Sequence, residues 1–264
     1  MAHLFIFGLG YSAKRIAAAA KAAGWQVSAT GSDGDVDFGD SEGVKAALGR
    51  ATHVLSSVPP DRESESDPVL NAYGDLLGKG WLGYLSSTGV YGDQNGAWVD
   101  ESAPTGIGRR SARAACDAAW LDRGAHVFRL PGIYGPGRSA FDRIASGKAH
   151  RIDIAGQVFS RVHVEDIASG VMAAMASDAP PGAYNLGDDL PASQNAVIEH
   201  ACALLGQEPP PLVSMGEADL SPMARGFYAE NRRVANGKAK RVLGWQPQYP
   251  TYREGLATLA QQSR

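Results

Sequence analysis

The sequence predicts an α/β protein with a doubly wound parallel sheet and a small C-terminal α/β region, on three observations. Short apolar runs alternate with helical patterns through the first two-thirds of the 264 residues. The first run passes straight into a glycine turn and an alanine-rich helix, Gly8-Leu9-Gly10-Tyr11-Ser12-Ala13. The composition is that of an ordinary globular chain, 44% hydrophobic and 20% charged.

Each element follows from local chemistry. Leu4–Phe7 reads as a buried strand, and the helix from Tyr11 stops at Gly24, a natural residue just past a helix end. Trp25–Thr30 alternates as a second strand. A helix fits Ser41–Leu48 and ends at Gly49. His53–Val58 is a buried strand stopped by Pro59-Pro60, and Pro68–Leu77 is a helix with proline in its first turn. Trp81–Ser87 returns as strand, Arg109–Leu121 as helix and His126–Leu130 as strand. Gly132–Gly137 is predicted as a loop by its glycine and proline, Phe159–Val164 as a strand, and Asp166 as the N-cap of the next helix. Tyr184–Leu186 is strand-like, Gln194–Leu205 an amphipathic helix, and the tail from Gly216 mainly helical. The expected division is a doubly wound α/β domain over 1–181 and a smaller region over 182–264, to which the loop 132–158 contributes.

A net charge of −3 supplies no field to attract nucleic acid, so the expected partner is a small molecule. Cys116 and Cys202 lie in helical patterns without a second cysteine or a histidine cluster nearby, so neither a disulfide nor a metal is expected. No run is long enough to span a membrane, and the N-terminus enters a strand rather than a secretory signal. A cytoplasmic protein is the expectation.

The glycine turn has the form G-x-G-x-x-A, in which each residue type has a role. Gly8 makes the turn, Gly10 lets a diphosphate approach the backbone, and Ala13 lets the helix pack on the strand. The amides of Tyr11, Ser12 and Ala13 then face the phosphates. Cofactor choice falls at the end of the second strand, Thr30-Gly31-Ser32-Asp33. Thr30 and Ser32 suit a 2′-phosphate, and Asp33 suits the ribose hydroxyls of NAD; the non-acidic first position favours NADP over NAD.

Four phrases in order, GLGYSA at the start, Ser86–Gly92, Arg129–Gly137 and Val162–Ala168, resemble the extended, epimerase/dehydratase-type short-chain dehydrogenase/reductases across nearly the whole chain. That resemblance implies a bound NADP or NAD and a substrate such as a nucleotide-sugar or a related carbonyl or hydroxyl compound. It also implies that Ser57, Val58 and Pro59 pass beside the coenzyme ribose. Its usual catalytic set is a hydroxyl at the place of Ser87, a tyrosine, and a lysine four residues later.

Here the pattern departs. Arg109 stands at the tyrosine's place and Arg113 at the lysine's, and no tyrosine occurs between Gly92 and Tyr134. Arginine does not release its proton near neutral pH, so Arg109 is no acid/base. Ser87, Arg113, Tyr91 and Tyr134 are the candidate catalytic residues, with Thr88 beside them; burial as packing aromatics is the equal alternative for both tyrosines. Thr88 stands where dehydratase-type relatives are acidic, which disfavours dehydration. His163 is expected to be a hydrogen-bonded structural histidine, and Phe227–Arg233 either lines a pocket or is a solvated helix face. The readings are an oxidoreductase or epimerase with another proton donor, or a coenzyme-binding sensor or partner-binding protein without turnover. A different Rossmann enzyme such as a methyltransferase is disfavoured by the Ser86–Gly92 phrase.

Overall fold

All five residues of the first strand are buried, and its side chains divide by parity between two cores. Leu4 and Ile6 join one hydrophobic cluster, whereas Phe5 and Phe7 join another on the opposite face. Such a strand has to lie inside a sheet covered on both sides. The protein, a computed structural model, is described over residues 2–262 apart from 79, 109 and 110. The chain opens with β1 (His3–Phe7), α1 (Tyr11–Ala22), β2 (Gln26–Ala29), α2 (Ser41–Arg50) and β3 (His53–Ser56). It continues through α3 (Pro68–Tyr73), β4 (Trp81–Ser87), β5 (Trp98–Val99), α4 (Ser111–Asp122), β6 (His126–Leu130) and β7 (Gly132–Tyr134). Then come α5 (Ala140–Ala145), β8 (Arg151–Ile152), β9 (Arg161–His163), α6 (Val164–Met175) and β10 (Gly182–Asn185). Last are α7 (Gln194–Leu205), β11 (Leu212–Val213), α8 (Pro222–Tyr228), β12 (Arg233–Val234), α9 (Gly237–Leu243) and α10 (Tyr252–Gln262).

The main sheet has the order β10-β6-β4-β3-β1-β2, with every pairing parallel. β2 and β3 leave β1 on opposite sides, which sets the switch point, and hence the ligand crevice, at the carboxyl ends of β1 and β3. Helices α1 and α6 cover one face, with Ile16, Ile167 and Val171 fully buried. On the other face, Val44 of α2, Val69 of α3 and Trp120 of α4 are fully buried. A third cluster, built from α5, α7 and α10 around Tyr134, Ile198 and Leu256, supports the C-terminal lobe.

Several predicted boundaries move. Gly132–Tyr134 is a strand rather than a loop, paired in parallel with β9 so that Ile133 lies against Val162 and Tyr134 against His163. Pairing between residues about thirty apart outweighs the local glycine content. The described part of the Arg109–Leu121 helix begins at Ser111, and Arg109 and Arg110 lie outside the described residues. The main sheet also extends past residue 181, because β10 pairs with β6. Asp166 is not the N-cap of α6. His163 occupies that position, its Nδ1 accepting from the Glu165 amide at 3.3 Å. Asp166, one turn in and buried, accepts instead from the Gln248 and Tyr249 amides at 2.6 and 3.1 Å, tying the α9–α10 connection to α6. Both cysteines are buried and free. No helix among the described residues is long and apolar enough to cross a membrane.

Candidate functional site

A cleft of about 910 Å³ opens at the carboxyl edge of the main sheet. Its inner wall is the turn Gly10–Ala13, Ser57 after β3, Ser86–Gly89 at the end of β4, and Leu130-Pro131 after β6. The outer wall comes from α5, the strand end Phe159–Arg161, and α8.

Gly8 and Gly10 have different reasons to be glycine. Gly8 has φ +82°, and a Cβ there would meet Val58 Cγ2 at 3.0 Å and Ser57 Oγ at 3.2 Å. Its amide donates to Thr30 Oγ1 at 3.0 Å, and the Ser57 hydroxyl donates to its carbonyl. Gly10 has φ −83°, open to any residue, and a Cβ there would have nothing within 4 Å. Neither backbone strain nor packing requires glycine at 10. What the position keeps is empty space above the start of α1. Gly10 is the N-cap of that helix and has no side chain with which to cap it, and its first turn holds no acidic residue. The turn therefore presents unpaired amides and the positive end of a helix dipole to the cleft. A coenzyme diphosphate fits this cradle.

The remaining candidates separate. Thr30 is 1% exposed and its Oγ1 accepts from the Gly8 amide, so burial keeps it inside the turn, which it shapes, and away from a phosphate. Ser32 is exposed beyond the strand end, and Asp33 is ion-paired with Lys14. Val58 packs against Gly8, and Pro59 is exposed; only Ser57 of that trio lines the cleft. Ser87 lines the cleft at the end of β4, and its Oγ accepts from the Gly89 amide at 3.1 Å, which leaves the hydroxyl proton free to donate. Arg113 also lines it, with Nη1 donating to Tyr84 Oη at 2.9 Å and to the Leu85 carbonyl at 3.3 Å.

Tyr91 is corrected outright. It is fully buried outside the cleft lining, its hydroxyl donating to Asn185 Oδ1 at 2.8 Å and accepting from Arg129 Nη1 at 3.0 Å. Burial raises its pKa above the ordinary phenol value. The same arginine pairs with Asp117 through two bonds of 3.1 and 2.7 Å, and Asp117 accepts the Ser86 hydroxyl at 2.6 Å. A buried polar chain thus runs from the cleft floor to Asn185. Tyr134 does line the cleft, but it is 8% exposed, its hydroxyl lies 3.4 Å from the Thr251 carbonyl, and burial pushes its pKa far up. His163 is hydrogen-bonded as expected through Nδ1, whereas its buried Nε2 has no partner among the described residues. Burial, and secondarily the charge of Arg15, pushes its pKa down to about 4.

The outer wall held little sequence signal beyond Phe227–Arg233. Phe227, Tyr228, Glu230 and Arg232 of that segment do line the cleft. They are joined by Arg138, Arg143, His150 and Arg161. His150 Nε2 lies 3.2 Å from the Tyr228 hydroxyl, and burial lowers the imidazole pKa. Arg161 is buried, its guanidinium held by the Phe159 and Ala192 carbonyls, both at 2.8 Å. Arg232 is paired with Glu230 at 2.9 Å, whereas Arg113, Arg138 and Arg143 have no carboxylate partner within 4 Å among the described residues. The cleft is cationic.

Fold and cleft together define a doubly wound parallel α/β architecture with its crevice at the carboxyl edge of the sheet, the fold shared by solved epimerase and dehydratase structures. The human epimerase family protein SDR39U1, solved with NADPH, superposes with a TM-score of 0.76 over 98% of this chain and 99% of its own, at 16% identity. More particularly, the chain belongs to the same family as a functionally unknown conserved protein from Silicibacter pomeroyi DSS, which is 40% identical over all of both chains with a TM-score of 0.87. A 3-diazoavenalumate denitrifying reductase from Streptomyces is 33% identical over 141 residues, 49% of this chain and 45% of that protein, so the match spans less than half of the relative. No family model matches the chain.

Proposed function

We propose that this protein is an NAD(P)-dependent oxidoreductase that acts on a carbonyl or hydroxyl carbon of an anionic small molecule. The observation that carries the reading is the empty space over Gly10 at the uncapped start of α1, continuous with the chamber that holds Ser87 and Arg113. A bound nicotinamide coenzyme supplies or accepts the hydride there. The amides of Tyr11, Ser12 and Ala13 hold its diphosphate. Ser87 hydrogen-bonds the substrate oxygen, Arg113 provides fixed positive charge where that oxygen gains electron density, and solvent water in the open cleft gives up the proton that completes reduction, or takes it in the reverse direction. Arg143, among aromatic neighbours, favours an anionic substrate, and the imidazole of His150, which burial disposes to the neutral form, offers it a hydrogen bond. The reductase name of the Streptomyces relative supports reduction over epimerisation. With Thr30 engaged in the turn and Lys14 paired with Asp33, the exposed Ser32 is the group left to favour a 2′-phosphate, and we assign NADP over NAD. The smaller C-terminal region supplies the substrate wall.

Calorimetry with NADPH and NADH tests the reading. Binding of either, tighter for NADPH, is expected; no heat and no shift in melting with both would sink it, and tenfold tighter NADH would reverse the preference alone. Two observations favour a second reading, a coenzyme-holding sensor without turnover: Arg113 is already engaged with Tyr84 and Leu85, and Tyr91 is shut away from the cleft. Bound NADPH that stays reduced through a broad carbonyl panel would favour the sensor.

A further inference from the structure

A diphosphate seated on α1 carries about two negative charges, and backbone amides neutralise them only in part. The cations on the start of α1 itself are engaged elsewhere. Lys14 is paired with Asp33, and Arg15 lies 3.4 Å from Glu165. Among the described residues, a cation with no carboxylate partner comes from another element.

The connection from β7 to α5 brings one. Residues 135–138 form a tight turn closed by the Gly135 amide on the Arg138 carbonyl at 3.2 Å and by the reverse bond at 3.0 Å. The Tyr11 hydroxyl, from the first residue of α1, donates to the Pro136 carbonyl at 3.0 Å and fixes this turn against the helix start. Only glycine fits at 135: its φ is +156°, and a Cβ would lie 2.8 Å from Tyr11 Oη and 2.7 Å from Val164 Cγ1. The turn delivers an exposed guanidinium, that of Arg138, 5.7 Å from the centre of the Tyr11 ring. Ring and guanidinium both line the cleft beside Gly10, Ser12 and Ala13. The residue that presents the guanidinium on its ring is thus the one whose own amide heads the helix.

We infer that Arg138 is a coenzyme-binding residue that closes on the diphosphate from the side opposite the helix amides, with Tyr11 as its platform. Guanidinium geometry suits this task, since two parallel N–H groups match two phosphate oxygens. The cation–π contact holds the side chain near its target before the ligand arrives and reduces the ordering cost of binding.

The inference rests on the coenzyme reading, so the test separates the two. Dissociation constants are measured by calorimetry for NADPH, for ADP-ribose, which has the diphosphate, and for adenosine 2′-monophosphate, which has no phosphate at the diphosphate position. Arg138→Gln should weaken NADPH and ADP-ribose by about tenfold or more, the scale of a lost charge-assisted bond, and change adenosine 2′-monophosphate less than about twofold. Arg138→Lys should fall between the two, and Tyr11→Phe should cost NADPH a smaller factor while leaving the melting temperature near that of the unaltered protein. If the unaltered protein binds NADPH and Arg138→Gln leaves NADPH and ADP-ribose unchanged, or weakens adenosine 2′-monophosphate equally, the clasp is wrong and the coenzyme reading stands. If the unaltered protein binds none of the three, both fall.

Discussion

Replacing Gly10 by valine separates what the turn does for the fold from what it does for a ligand. The backbone there, φ −83° and ψ −168°, is an extended conformation that valine adopts readily, and an added Cβ has no protein atom within 4 Å. Valine is a poorer N-cap than glycine, so the variant should lose about 1 kcal/mol of stability and remain folded. The diphosphate, by contrast, has to bring its oxygens to about 2.9 Å from the amides beside Gly10, into the volume the new methyl groups would fill. Losing two such charge-assisted bonds, at about 1.5–3 kcal/mol each, amounts to about 3–6 kcal/mol, or a factor of roughly 10² to 10⁴ in the dissociation constant. Calorimetry with NADPH reads the binding and chemical denaturation reads the stability. Gly8→Ala should behave in the opposite way, because φ +82° and the contacts with Ser57 and Val58 make it a folding defect of about 1–3 kcal/mol. If Gly10→Val binds NADPH within threefold of the unaltered protein, the diphosphate does not sit on this turn.

Two further outcomes follow from the polar groups around the cleft. Tyr91→Phe leaves Arg129 Nη1 and Asn185 Oδ1 short of a buried partner, and should lower stability by about 1–3 kcal/mol with no change in NADPH affinity; a large affinity loss in a folded variant would show Tyr91 reaching the ligand. The His163 imidazole, held neutral by burial with its pKa pushed down to about 4, takes up protons more readily in the unfolded chain, so its contribution to stability is intact above about pH 6.5 and falls as pH drops toward 4. An NMR titration of its ring should show a midpoint near 4, and the stability advantage over His163→Phe should shrink across that window by up to about 3 kcal/mol, at about 1.4 kcal/mol per pH unit. A midpoint above 6 contradicts this.

Much of this molecule could be read before folding, because the relevant forces act over a few residues. The strand–turn–helix at Phe7–Ala13, the proline start of α3, and the alternation that builds a covered parallel sheet depend on local backbone preference and on the period of apolar residues. Ser87 and Arg113 reached the cleft for the same reason, since each sits at an end of an element whose place in the sheet follows from its order. Distance along the chain hid the rest. Whether a hydroxyl is free depends on which acceptor or donor the fold brings to it, and nothing near Thr30 or Tyr91 in sequence reveals Gly8 or Asn185. His163 and Asp166 exchanged their expected roles because the segment that binds Asp166, Gln248-Tyr249, lies some eighty residues on. The sequence by itself determined the sheet, the helix that starts at Tyr11 and the vacancy at Gly10. Only the tertiary structure decided which polar groups remain unengaged around that vacancy, and it set Arg138 on Tyr11 across 127 residues of chain, because hydrogen bonds and charges are assigned by proximity in space.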